Sequence, residues 1–104
     1  MIEIRGVDND SYIVCDACRE EITNVRNALA IFRNFMNDGE KSKVLHVHKN
    51  NVKGDCTKKA EDYIRSKDWE SGSMELGEHL ANLIHNIGMS PEDIKQILTY
   101  SRKL

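Results

Sequence analysis

The sequence predicts an α+β fold in which a small β-hairpin module with its own helix precedes a C-terminal helical hairpin. Three observations predict it. Asn37-Asp38-Gly39-Glu40 separates two apolar segments, and Asp-Gly supplies the positive φ angles that tight hairpins need. Cys15-Asp-Ala-Cys18 directly follows the β-branched and aromatic segment Tyr12-Ile13-Val14. Met74, Leu76, Leu80, Leu83, Ile84 and Ile87 recur at helical spacing.

At the N-terminal end, Asp8-Asn9-Asp10-Ser11 is a turn cluster and Tyr12 to Cys15 a short strand that delivers Cys15 to the Cys-x-x-Cys turn. Asn27 to Met36 is apolar, and its periodicity alone does not separate helix from strand. The turn that follows it, with Lys43 to His48 beyond, favours a strand. Within Lys43 to His48, side-chain alternation puts Val44, His46 and His48 on one face and Leu45 and Val47 on the other. Lys49 to Asp55 is a polar loop feeding Cys56 into a helix over Thr57 to Arg65. Cys56 at that helix start is expected to favour its thiolate.

Residues 66–73 read as a break containing Trp69 and Gly72, before the amphipathic helix from Met74 to Ile87. Gly88 is the expected C-terminal cap. Ser90-Pro91-Glu92-Asp93 then starts another helix, with Ser as N-cap, Pro in the first turn, and Ile94, Ile97 and Leu98 as its apolar face. The division is residues 1–66 as the hairpin module and 67–104 as a helical hairpin packed on it, in a single compact domain.

Composition limits the classes of function. With 104 residues, 39% hydrophobic residues and only one Trp, three Tyr and two Phe, the core is thin and stapling would help it. Three cysteines cannot all pair internally, which favours reduced thiols and a cytoplasmic setting. No apolar stretch approaches the length of a membrane span and no signal-peptide pattern opens the chain. The net charge of −2 argues against a globally basic nucleic-acid binder. Lys41, Lys43, Lys49, Lys53, Lys58 and Lys59 nevertheless crowd one segment whose only acid is Asp55.

Cys15, Cys18, His48 and Cys56 are the candidate ligands of one Zn2+. A Cys-x-x-Cys turn places two sulfurs on one metal, and the strand end at His48 and the helix start at Cys56 supply the rest. One site then accounts for every cysteine. Unrelated buried thiols are the bland alternative, against which the charged neighbours Asp16, Arg19, Asp55 and Lys58 argue. A redox Cys-x-x-Cys lacks the surrounding βαβ pattern and leaves Cys56 unexplained. His46 competes with His48 because both leave the same strand face; His48 is nearer Cys56 and at the strand end. His79 and His85 are read as solvated residues of the amphipathic helix. Four protein ligands leave no open coordination position, so the metal would be structural and no enzyme is implied.

This order of knuckle, hairpin and helix, with Cys15, Cys18, His48 and Cys56, resembles zinc-ribbon and treble-clef fingers over residues 10–66. Val47-His48-Lys49, the lone Cys56 and Trp69 are similar to small bacterial and phage proteins that share these motifs and have no established activity. The resemblance implies a zinc-organised module. Leu45-His46-Val47-His48 with Gly54-Asp55-Cys56 also looks like the core of His-Asn-His nucleases, although Val-His stands where their Asp-His pair belongs. The expected role is a zinc-binding interaction module, with a homodimer through the C-terminal helices as a reasonable partner. Nucleic-acid binding through the lysines is the alternative, and a divergent nuclease the next.

Overall fold

The computed structural model describes residues 1–7 and 9–96. Its centre is a three-stranded antiparallel sheet in the order β4-β3-β5, formed by β3 (Ala28–Arg33), β4 (Leu45–His48) and β5 (Ser71–Glu75). The apolar segment that periodicity leaves ambiguous is a strand because both of its edges are paired: Leu29 lies opposite Val47 on one side and Glu75 on the other. A central strand is buried on both faces, and Ala28, Ala30 and Ile31 are all fully buried.

The register puts Leu29, Ile31, Leu45 and Val47 on one face and Ala28, Ala30, His46 and His48 on the other. Helix α1 (Cys56–Arg65) covers the first face with Cys56, Thr57, Ala60 and Ile64, its buried stripe. Cys15, Ile31, Val47, Cys56, Ala60 and Ile64 make one core cluster there. The opposite side of α1 is solvated and carries the Lys58–Asp62 and Arg65–Glu61 pairs.

The hairpin between β3 and β4 is as expected, with shorter strands and a wider loop. Ser42 Oγ accepts the Arg33 backbone N–H at 2.9 Å, and the Arg33 guanidinium holds Glu40 at 2.6 Å. Glu40 also accepts the Asn37 N–H, and Gly39 takes φ +84°, so the turn forms at the Asp-Gly signal. Phe35, at φ +51°, leaves the strand before the turn is reached.

Residues 71–75 correct the sequence reading. Where a break and the start of a helix at Met74 are expected, Ser71–Glu75 is β5, pairing with the free edge of β3. Pairing with a distant strand overrides the local helical pattern, and the absence of a side chain at Gly72 permits it. A Cβ there would lie 2.6 Å from Phe32 Cε2 on the neighbouring strand. Gly72→Ala is expected to cost about 1–3 kcal/mol through displacement of the Phe32 ring, read as a lower urea midpoint. Helix α2 accordingly starts later, at Leu76, and ends at Asn86.

The Gly88 and Ser90 signals are realised. Gly88 has φ +74°, and the Met89 N–H reaches the Ile84 carbonyl at 3.0 Å, closing the helix end. Ser90 Oγ accepts the Asp93 N–H at 3.1 Å while Asp93 accepts the Ser90 N–H at 2.9 Å, a reciprocal cap. The hydrogen bond from the Ser90 backbone holds the Asp93 carboxyl below its ordinary range. Residues 91–96 are helical, with Ile94 half-buried; Ile97 and Leu98 lie outside the described residues.

At the other end, β1 (Ile2–Arg5) and β2 (Asp10–Ile13) form a separate antiparallel hairpin. The strand expected at Tyr12 to Cys15 therefore begins two residues earlier and finishes before Cys15. Val14 continues into a single bridge with Glu21. Among the described residues, no helix is long and apolar enough to cross a membrane.

Candidate metal centre

Cys15 and Cys18 lie in the turn that follows β2, His48 ends β4 and Cys56 opens α1. Cys15 opens a tight turn: its N–H donates to the Glu20 carbonyl at 2.9 Å, its carbonyl accepts the Arg19 N–H at 2.9 Å, and Arg19 adopts φ +67°. The Cys18 N–H points at Cys15 Sγ, 3.5 Å away. The knuckle docks on the outer edge of β4, where the Asp16 N–H donates to the His46 carbonyl and the His46 N–H donates to the Asp16 carboxylate, both at 2.8 Å.

That docking sets the knuckle beside His48, the last residue of β4. His48 Nδ1 lies 3.4 Å from Cys18 Sγ, and its Nε2 lies 3.1 Å from the Glu21 carbonyl oxygen. A carbonyl only accepts, so this contact assigns the neutral ring's proton to Nε2 and leaves the Nδ1 lone pair facing the sulfurs. Cys56 is the first residue of α1. Thr57 beside it donates its buried hydroxyl to the His48 carbonyl at 2.9 Å, fastening the helix start to the strand end.

Cys15, Cys18, His48 and Cys56 thereby bring four ligand atoms within 4.8 Å of one another. A tetrahedral shell with metal–sulfur bonds of about 2.3 Å has edges of about 3.8 Å, so small adjustments close it. Cys15, His48 and Cys56 are buried and Cys18 is half-buried, which shields such a site from solvent. All three cysteines are free thiols.

The electrostatics of the cluster differ from the expectation for Cys56. Burial pushes its thiol up to about 12, with the neighbouring Cys15 and Cys18 sulfurs adding to the shift. Burial also acts on Cys15, but hydrogen bonds from the Cys18, His48 and Ala17 backbone outweigh it and bring that thiol down to about 7. One negative charge among crowded sulfurs resists a second unless a cation is shared between them.

His46, the competing ligand, is directed elsewhere. Its Nδ1 lies 2.9 Å from the Met1 amine and 4.0 Å from the Asp16 carboxylate, and its ring is 5.5 Å from that of His79. Burial lowers its pKa, and the nearby amine and His79 lower it further. His79 is therefore half-buried against His46, where a solvated position is expected; His85 is exposed. The lysine-rich segment is divided: Lys49, Lys53 and Lys58 are paired with Glu75, Glu20 and Asp62. Asp16, the Glu21 carbonyl and Thr57 position the cluster without being identifiable from it. Their contacts are made through folding, and only the adjacency of Asp16 and Thr57 to cysteines hints at a role.

The fold and the site define an α+β protein with a Cys3His cluster that can hold a metal ion. No protein-family model, curated protein or solved structure shows a significant match to the chain, so what the site does is argued from its own geometry.

Proposed function

We propose that Cys15, Cys18, His48 and Cys56 bind one structural Zn2+, and that the protein is a non-enzymatic module whose work is binding a partner. The observation that carries this reading is the convergence of four donors from three separate elements within 4.8 Å. Three thiolates and an imidazole are a zinc-selective donor set, and four protein ligands complete the tetrahedron. A substrate or water then has no place on the metal. The order of knuckle, hairpin and ligand-bearing helix start supports a likeness to zinc-ribbon and treble-clef modules. Free thiols used as ligands suit a reducing, cytoplasmic setting.

A binding role is supported by apolar surface left on and just after α2, where Leu83 and Ile87 are 45% and 63% exposed. A second copy of this chain, as a homodimer through the C-terminal helices, is one way to cover them.

Elemental analysis tests the ligand set. The purified protein is expected to hold about one zinc per chain. His48→Ala should reduce that content sharply, whereas His46→Ala should leave it intact, because the His46 ring faces the Met1 amine and His79. Equal loss in the two variants would remove His48 from its assigned role.

A further inference from the structure

Along α1, opposite the knuckle and the loop before β4, run two adjoining cavities that share Leu45 and Tyr63 as a common wall. The first, about 380 Å3, is lined by Arg19 and Lys59 among others; the second, about 280 Å3, by Lys41, Lys43, Lys67 and Trp69. The helical side is a stripe of Lys59, Ala60, Tyr63 and Ile64, and Lys67 follows in the turn just past the end of α1.

The cations of this groove differ from the protein's others. Arg5, Arg33, Lys49, Lys53, Lys58 and Arg65 each hold a carboxylate within 4.0 Å. Among the described residues, Arg19, Arg26, Lys41, Lys43, Lys59 and Lys67 have no such ion pair, and all but Arg26 line the two cavities. The one acid in the wall, Asp16, already accepts the His46 N–H at 2.8 Å and pairs with the Met1 amine at 3.1 Å. A chain of net charge −2 thus keeps unneutralised positive charge in one concave track.

Two rings stand in the same track. Tyr63 is 50% exposed and Trp69 41% exposed. The Lys67 ammonium lies 5.6 Å from the Tyr63 ring centre, and the Arg33 guanidinium 4.7 Å from that of Trp69. Past Trp69 a third cavity brings in Asp68 and Glu70, which ends the cationic stretch. The sequence spreads these rings and lysines over nearly thirty positions; folding puts them on one surface.

We infer that this groove binds single-stranded nucleic acid, with Arg19, Lys41, Lys43, Lys59 and Lys67 on the phosphates and Tyr63 and Trp69 stacking on unpaired bases. Cations beside exposed rings match a polymer that alternates phosphates with flat bases. A duplex offers the groove phosphates but hides its base faces, and a purely acidic peptide such as oligoglutamate offers charge without rings to stack. The inference supplies the partner of the zinc module and rests on that reading, since the metal cluster fastens the knuckle and α1 on either side of β4.

The test is fluorescence anisotropy with a short labelled oligothymidylate and metal-loaded protein, with zinc content and circular dichroism measured on the same samples. Binding should weaken with salt along a slope of about −0.7 per phosphate engaged. The double variant Lys43→Ala/Lys59→Ala should flatten that slope by about 1.4. Lys58→Ala, on the paired face of α1, should leave it unchanged. Tyr63→Ala should lose about tenfold in affinity while Tyr63→Phe retains it. A folded, zinc-replete protein that ignores the oligonucleotide at low ionic strength would overturn this inference and leave the zinc reading standing. Equally tight binding of a matched duplex or of oligoglutamate would overturn it too. Folded protein that binds the oligonucleotide without zinc would sink the zinc reading alone.

Discussion

Stripping the metal from the purified protein with a strong chelator is expected to unfold the module formed by the knuckle, β4 and α1, and not merely to loosen it. The core cluster shows why. Cys15 and Cys56 are themselves two of its six buried members, and the others are Ile31, Val47, Ala60 and Ile64. So few aliphatic side chains offset little of the entropy lost in ordering the chain. A structural zinc site in a small module contributes about 10–16 kcal/mol at neutral pH, comparable with the whole net stability of an ordinary domain. Without the ion, three sulfurs and an imidazole remain packed together in a buried space with no common partner. Chelation should therefore abolish the cooperative thermal transition, and restoring Zn2+ should bring it back. Cys56→Ser should act in the same direction, because it weakens the ligand that anchors α1 to β4. A chelated protein that keeps its sheet and helix signals and its cooperative transition would contradict a structural role for the metal.

The parts of this architecture legible in sequence are those fixed by short-range chemistry. The Asp-Gly turn, the Cys-x-x-Cys knuckle, the helix start at Cys56 and the Gly88 and Ser90 caps each depend on neighbouring residues, and each is where the sequence puts it. Among contacts between distant segments, the β3–β4 hairpin and the convergence of the four ligands are legible from their own motifs, and the others are not. Ser71-Gly72-Ser73 has no strand pattern of its own and becomes β5 only because β3 offers an unpaired edge, while Met74 falls in the helical spacing of the residues that follow it. Strand alternation treats His46 and His48 alike. Side-chain and backbone partners from the knuckle separate them: Asp16 grips the His46 N–H and the Glu21 carbonyl turns the His48 ring. Likewise the run from Lys41 to Lys59 looks uniform in sequence, yet folding pairs Lys49, Lys53 and Lys58 with acids and leaves Lys41, Lys43 and Lys59 facing the groove.

Acid should unfold the metal-loaded protein over a narrow range just below neutrality, and the sign follows from proton counting. The zinc-bound fold holds Cys15, Cys18 and Cys56 as thiolates, whereas in the unfolded chain thiols are protonated below about 8.5. The unfolded state therefore binds up to three more protons, and stability rises with pH at up to about 4 kcal/mol per unit. That contribution is fully present above the thiol range and is lost as pH falls. Two units of acidification remove about 8 kcal/mol, a large share of what the metal confers and comparable with the whole net stability of an ordinary domain. Urea midpoints of the metal-loaded protein, measured from pH 5 to 9, check this slope. A midpoint that stays flat between pH 7 and pH 5 would mean that the cysteines do not carry the metal's contribution to stability.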